Sequence, residues 1–249
     1  MTDTVFDAHS PVPHPSQRAD PVGQLPRSDT VWSALLGYWD VLPLERRGHS
    51  EGIVVTAGSD LGWLPEVFDL GFCVTFARDV EPDELLVRMG GDPGAAVSLS
   101  AAEAETRELE DEDAGPIVRV GSYPGWAFAV EIWGAHGTRD EVVRAVSAKT
   151  EAVVLLRNAN AVKRFVHAQD GVIVCSFDVD LPHLRTGSDP DRLLPHMERV
   201  GLAPEIGPDV DASQAMLSLA VSAFGVGLPR DEVQSGVLPA SRVTTAAGE

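Results

Sequence analysis

Val162-Lys-Arg-Phe-Val-His-Ala168, Gln169-Asp-Gly171 and Val172-Ile-Val-Cys-Ser-Phe177 form one continuous stretch of the chain. Two apolar, β-branched runs are joined there by Asp-Gly, the strongest short-range hairpin signal, since both central residues of such a turn need positive φ. Ala152 to Leu156, just upstream, reads as another strand. An earlier pair, Ile117 to Val120 and Trp126 to Ile132, is joined across Gly121-Ser-Tyr-Pro-Gly125, and Phe72-Cys-Val-Thr-Phe76 is a further buried run. Successive hairpins mixed with helical segments define the class as α+β. The expected architecture is a single domain with a largely antiparallel sheet covered by helices, flanked by disordered tails.

The helices are read from their ends. Glu81-Pro-Asp-Glu-Leu-Leu-Val-Arg-Met89 has Pro82 and acids in its first turn and Gly90-Gly91 after its last. Ser100-Ala-Ala-Glu103 has capping-box spacing, and Thr138-Arg-Asp-Glu141 repeats it ahead of Val142, Val143 and Val146. The helix from Ser100 runs into Glu108, Glu110, Asp111, Glu112 and Asp113, where acids meet the negative helix pole, so that end is expected to fray. Ser188-Asp-Pro-Asp191 opens a helix with Leu193, Leu194, Met197 and Val200 on one face, interrupted at Pro195 and closed by Gly201. Asp211 to Phe224 turns Met216, Leu219, Ala220 and Ala223 inward and stops at Gly225. Upstream, Asp29 to Asp40 reads as an amphipathic helix that packs through Trp32 and Trp39, and Ile53 to Thr56 as an edge strand. The predicted division is a Pro-rich disordered tail over 1–28, a globular domain over 29–234 and a loose tail over 235–249.

The 249 residues carry 19 Lys and Arg against 38 Asp and Glu, a formal charge of −19, with 44% hydrophobic residues. That apolar content supports a real core, and the charge argues against nucleic acid and anionic membranes as partners. No secretory signal pattern and no run of roughly 18 apolar residues is present, so a cytoplasmic protein is expected. Cys73 and Cys175 lie in apolar runs and read as buried thiols.

Recognised chemistry is sparse. Gly48-His-Ser-Glu-Gly52 has the letters of a nucleophile elbow, but the charged Glu45-Arg-Arg47 precedes it where a buried strand is required. Gly225-Val-Gly227 lacks the third glycine of a dinucleotide loop, and no phosphate loop occurs, so no cofactor is expected. Asp178, Asp180 and His183 sit near Asp189 and Asp191, but the last two serve as first-turn acids of the following helix, and no metal is assigned. Arg157, Asn158 and Asn160 at a strand exit and Arg164 at the next entry form the densest group of donors, suited to an anionic ligand or to local turn bonding. Glu131, flanked by Trp126 and Trp133, completes that candidate ligand set, since a carboxylate among aromatics has a raised pKa unless strand alternation turns it to water. The acidic run Glu108, Glu110, Asp111, Glu112 and Asp113 is the candidate surface for a basic protein partner.

Gly71-Phe-Cys-Val-Thr-Phe76, Gly125-Trp126 with Val130-Glu131, Asn158-Ala-Asn-Ala161 with Arg164-Phe165, Asp170-Gly171, Ser176-Phe-Asp178 and Gly187-Ser-Asp-Pro190 form an ordered set of motifs. Together they resemble a family of uncharacterised proteins from actinobacteria such as Streptomyces, known as a domain of unknown function. The resemblance spans about Asp60 to Glu232, implies a single cytoplasmic α+β domain and supplies no catalytic residue. Lys149 stands where relatives tend to have a small residue. The leading expectation is a non-enzymatic binding or regulatory protein that works through protein-protein contacts, in a bacterial interaction or defence system. The alternative is a small-molecule binder or enzyme with a pocket around Glu131, Arg157, Asn158 and Asn160; a homo-oligomeric assembly protein is a third reading.

Overall fold

Phe72-Cys-Val-Thr-Phe-Ala-Arg78 is apolar on both faces, and a strand of that kind must lie inside a sheet rather than at its edge. The computed structural model describes residues 60–111, 114–160 and 162–244, and places this run (β1) between two antiparallel neighbours. The full order is β2 (Val97–Leu99), β8 (Leu238–Arg242), β3 (Ile117–Tyr123), β4 (Trp126–Glu131), β1, β5 (Glu151–Arg157), β6 (Lys163–Gln169) and β7 (Val172–Asp178). Every pairing is antiparallel, so the α+β reading stands. Asp170 and Gly171 both take positive φ, 52° and 77°, as the Asp-Gly turn between β6 and β7 requires. Lys149, φ 60°, occupies a left-handed position ahead of β5, the kind of turn a small residue fits with less strain.

Strand alternation divides the core. Phe72, Val74 and Phe76 of β1, with Phe128 and Val130 of β4 and Phe165 of β6, point to one face. There they meet α6 (Ala212–Phe224), α5 (Leu194–Arg199) and α1 (Leu64–Val67) through Met216, Leu219, Met197 and Leu64. The opposite face carries α2 (Pro82–Arg88) over β3 and β4, and α4 (Asp140–Val146) over β5 and β7. Asp211 caps α6, its Oδ1 accepting from the amides of Ser213 at 2.8 Å and Gln214 at 3.1 Å; Gly225 closes it at φ 69°. Asp211→Ala is expected to lower stability by about 1 kcal/mol, read as a reduced midpoint in urea at unchanged slope.

Several expectations are corrected. The Ser100 capping box forms, with both reciprocal bonds in place, but Thr138 caps nothing: its hydroxyl donates to Ala135 O at 2.7 Å, and α4 starts after Arg139 with no side-chain cap. The helix expected from Ser188 begins only at Leu194, with Pro195 in its first turn, where a missing N–H is harmless. The tail expected from residue 235 instead supplies β8, inserted between β2 and β3. Arg242 of that strand donates to Arg107 O, Asp111 O and Gly115 O, so the end of α3 (Ala101–Glu110) is held by a cation rather than left to fray. The helix read over 29–40, the strand over 53–56 and the Gly48–Gly52 motif lie outside the described residues. Among those residues no helix is long and apolar enough to cross a membrane.

Candidate functional site

Glu131 ends β4 on the second face, in register with Cys73 of β1. It is 1% exposed, so the solvent-facing reading of this residue does not hold. The chain turns back over it in a single 3-10 turn, His136–Thr138. Oε2 accepts from the amide of His136 and Oε1 from that of Gly137, both at 2.8 Å. The approach demands glycine twice: a Cβ at Gly134 would lie 2.2 Å from Glu131 Oε2, and one at Gly137 would lie 2.3 Å from Thr75 Oγ1. Burial pushes the Glu131 carboxyl above the ordinary carboxylate range, and the two amides, the His136 charge and the Cys73 thiol draw it part of the way back. Burial and the neighbouring Glu131 charge hold the Cys73 thiol well above its usual value, and burial pushes Cys175 up to about 11. Both thiols are inert by that criterion.

His136 Nε2 lies 2.7 Å from Met89 O, which fixes the proton on that nitrogen and ties the turn to the end of α2. Nδ1 of His136 and Oγ1 of Thr75 have no hydrogen-bond partner among the described residues. The outer side of the same turn forms one wall of a groove of about 610 Å³, lined by Trp133, Gly134, Ala135, His136 and Arg139. Glu108 and Leu109 of α3, with Gly115 and Pro116, form the other. Trp133 and Leu109 are large apolar side chains left 45% and 60% exposed. The polar groups beside them already have work: Glu108 accepts from the Ile117 amide, and Arg139 pairs with Glu141 at 2.5 Å. What the groove offers a ligand is therefore mainly apolar surface. A second groove, about 320 Å³, adjoins it at Trp133 and continues along α3 past Leu70, Ala101, Ala102 and Glu105.

The five candidate ligand residues do not form one pocket. Arg157 donates to Phe68 O and Asp69 O. Asn158 Oδ1 accepts from the amides of Asn160 and Val162, the local turn bonding weighed for it, and Asn160 is exposed in that turn. Arg164 lies beside Ser176 on β7, and Glu131 is sealed under its own turn. The acidic run is also divided: Glu110 and Asp111 are exposed at the end of α3, whereas Glu108 is buried, its carboxyl pushed up by that burial. Glu112 and Asp113 lie outside the described residues. Of the acids weighed for a metal, Asp180 pairs with Lys163, Asp189 with Arg192 and Asp191 with Arg185, while Asp178 accepts from the Asp180 amide at 2.9 Å. Among the described residues no group of three His, Cys, Asp or Glu side chains is placed to hold a metal ion. The two-amide seat of Glu131 and the groove above it carried no sequence signal beyond Trp133 and the Glu131 carboxylate. The glycines at 134 and 137 were its remaining trace.

Fold and groove together define an α+β protein on an eight-stranded antiparallel sheet, with an apolar cleft between its third helix and the segment that follows β4. The family described as "Family of unknown function (DUF6461)" matches residues 54–238, and the chain belongs to it. Nothing among curated proteins or solved structures matches the chain.

Proposed function

We propose that this is a non-enzymatic binding protein whose groove along α3 receives a short segment of a partner protein bearing apolar and basic residues. The observation that supports it is the pair Trp133 and Leu109, exposed on facing walls of one cleft. Exposed aromatic and aliphatic anchors in a concave site are what dominate peptide and protein binding energies. Charge selects the occupant. Asp69 and Glu105 line the adjoining groove, and Glu110 and Asp111 are exposed at the end of α3, in a chain of net charge −19. A basic flank is thus drawn in and an acidic one repelled. The proposal extends to a cytoplasmic protein of actinobacterial origin, acting in a bacterial interaction or defence system.

Selection of displayed random peptides on the intact protein tests this. Enriched peptides are expected to combine large apolar residues with Lys or Arg, and to lose affinity by about tenfold or more against Trp133→Ala, in line with a central anchor. Their affinity should also fall as salt rises. Enrichment without basic residues, or binding indifferent to Trp133→Ala and Leu109→Ser, overturns the reading. A small molecule that fills the cleft and competes with no peptide would favour the alternative of a small-molecule site.

A further inference from the structure

The other end of the second face carries a different kind of site. Most arginines among the described residues have strong partners: Arg78, Arg88, Arg139 and Arg185 pair with carboxylates within 2.5–2.8 Å, and Arg119, Arg157 and Arg242 bind backbone carbonyls. Arg164 is an exception. Its nearest carboxylate, Asp140, is 3.9 Å away, and its Nε reaches Ser176 Oγ only at 3.4 Å. Arg144, one turn along α4 from Asp140, makes a single bond, to Gly171 O at 3.2 Å. Arg144, which is exposed, and Arg164, which is partly so, thus keep donor capacity that a further partner can use.

Both arginines line one notch of about 360 Å³, together with Asp140, Ser176, Thr186, Gly187 and Ser188. It lies between α4 and β7, beside the start of β6. Ser176 is 5% exposed, and among the described residues its hydroxyl accepts from Arg164 but donates to nothing. The notch therefore holds two planar guanidinium forks, a buried hydroxyl with its proton unspent, and the Ser188 hydroxyl at the rim, while the Thr186 hydroxyl donates to Ser176 O at 3.3 Å. That donor set matches an oxyanion with several acceptor oxygens and more than one negative charge. Gly187 shapes the rim: its φ of 130° and a Cβ position 2.2 Å from Val174 O admit no side chain, which lets the 186–188 backbone lie flat on β7.

We infer that this notch binds a phosphoryl group through Arg144, Arg164 and Ser176, with the Asp140 carboxylate standing as an internal competitor for Arg164. Asp140 is free to leave. It sits in the first turn of α4, where the helix dipole stabilises it without Arg164, and it is largely exposed. The net charge of −19 repels anions at a distance, so recognition depends on these short-range donors. The site is separate from the α3 groove and shares no lining residue with it.

Titration calorimetry on the full chain at fixed ionic strength, with inorganic phosphate and with phenyl phosphate as probes, tests the inference. One site of millimolar or tighter affinity is expected. Arg164→Gln should weaken it by about tenfold or more, the effect of losing one charge-assisted fork. Asp140→Asn should tighten it, since it removes both the competitor for Arg164 and a negative charge beside the notch. Trp133→Ala should leave it unchanged. Tighter binding of phenyl phosphate identifies the phosphoryl group of a larger ligand, and equal binding identifies the free anion. Absence of binding by both probes, or binding that survives Arg164→Gln, overturns the proposal; circular dichroism of the variants confirms that each is folded.

Discussion

Replacing Arg119 by methionine is expected to lower stability by about 3 kcal/mol or more, a large fraction of the roughly 5–15 kcal/mol that keeps an ordinary domain folded. Arg119 lies on β3 and is 0% exposed, yet no carboxylate among the described residues pairs with it. Its guanidinium instead donates to three carbonyls: Leu99 O at 3.1 Å, Val233 O at 2.9 Å and Gly236 O at 3.2 Å. Those atoms belong to the end of β2, to α7 (Arg230–Gln234) and to the turn before β8. One side chain thus ties three separate segments to β3. Burial lowers the guanidinium to about 10, still protonated at neutral pH, so the bonds stay charge-assisted. Methionine fills much of the volume but removes the donor from three acceptors, two of them buried, and each buried orphan costs about 1–3 kcal/mol. Arg119→Lys keeps the charge and loses the fork, so it should fall between. Urea unfolding measures both; a methionine variant within 1 kcal/mol of the wild type, a small fraction of the loss expected from the orphaned carbonyls, would sink this account.

The same residue marks the boundary of what the sequence could tell. Hairpins and helix ends were legible because their causes are local: Asp170-Gly171 must turn, Ser100 and Glu103 cap each other, and Asp211 and Gly225 bound α6 within a few residues. The strand order was not, since β1 between β4 and β5 is decided by contacts distant in the chain. Leu238-Pro-Ala-Ser-Arg242 has no β-branched residue and a proline, and nothing local announces a strand. It forms one because its neighbours need it. Pairing with β3 covers Ala240 to Arg242 and stops at Pro239, which has no N–H to give. Thr138 failed as a cap for a related reason: the spacing was right, but Glu131 had already drawn the preceding backbone into a tighter turn. A charged residue in the sequence looks alike whether it faces water or three carbonyls. Arg119 has no local pattern that sets it apart from a surface arginine, while Arg157 spends its donors on the distant Phe68 and Asp69 carbonyls and Asn158 its oxygen on the amides of its own turn.

Glu131→Ala should also destabilise by roughly 3 kcal/mol, and Glu131→Gln by less, because the carboxylate answers two buried amides at once. Alanine orphans both. Glutamine keeps one acceptor oxygen and presents an NH2 group to the other amide, a donor against a donor. The pH dependence separates charge from shape. Burial raises the Glu131 carboxyl in the folded state, so its contribution to stability is fully present below the unfolded value near 4.3 and is lost as pH rises through the raised value. Glu108, also raised by burial, acts in the same direction. Glu151 acts in the opposite one: His167 at 3.0 Å and Arg78 at 2.8 Å hold it below the ordinary range, so its stabilisation is lost as pH falls through that lowered value. Denaturation midpoints measured across the acid to neutral range should therefore show the gap between wild type and Glu131→Gln narrowing as pH rises. A gap that widens would mean that the ionised carboxylate is the favoured form in its two-amide seat, with burial outweighed. Because that seat holds the wall carrying His136, both Glu131 variants should weaken peptide binding in the α3 groove while leaving phosphate binding between Arg144 and Arg164 intact. Equal loss at both places would show that the groove and the notch are not independent.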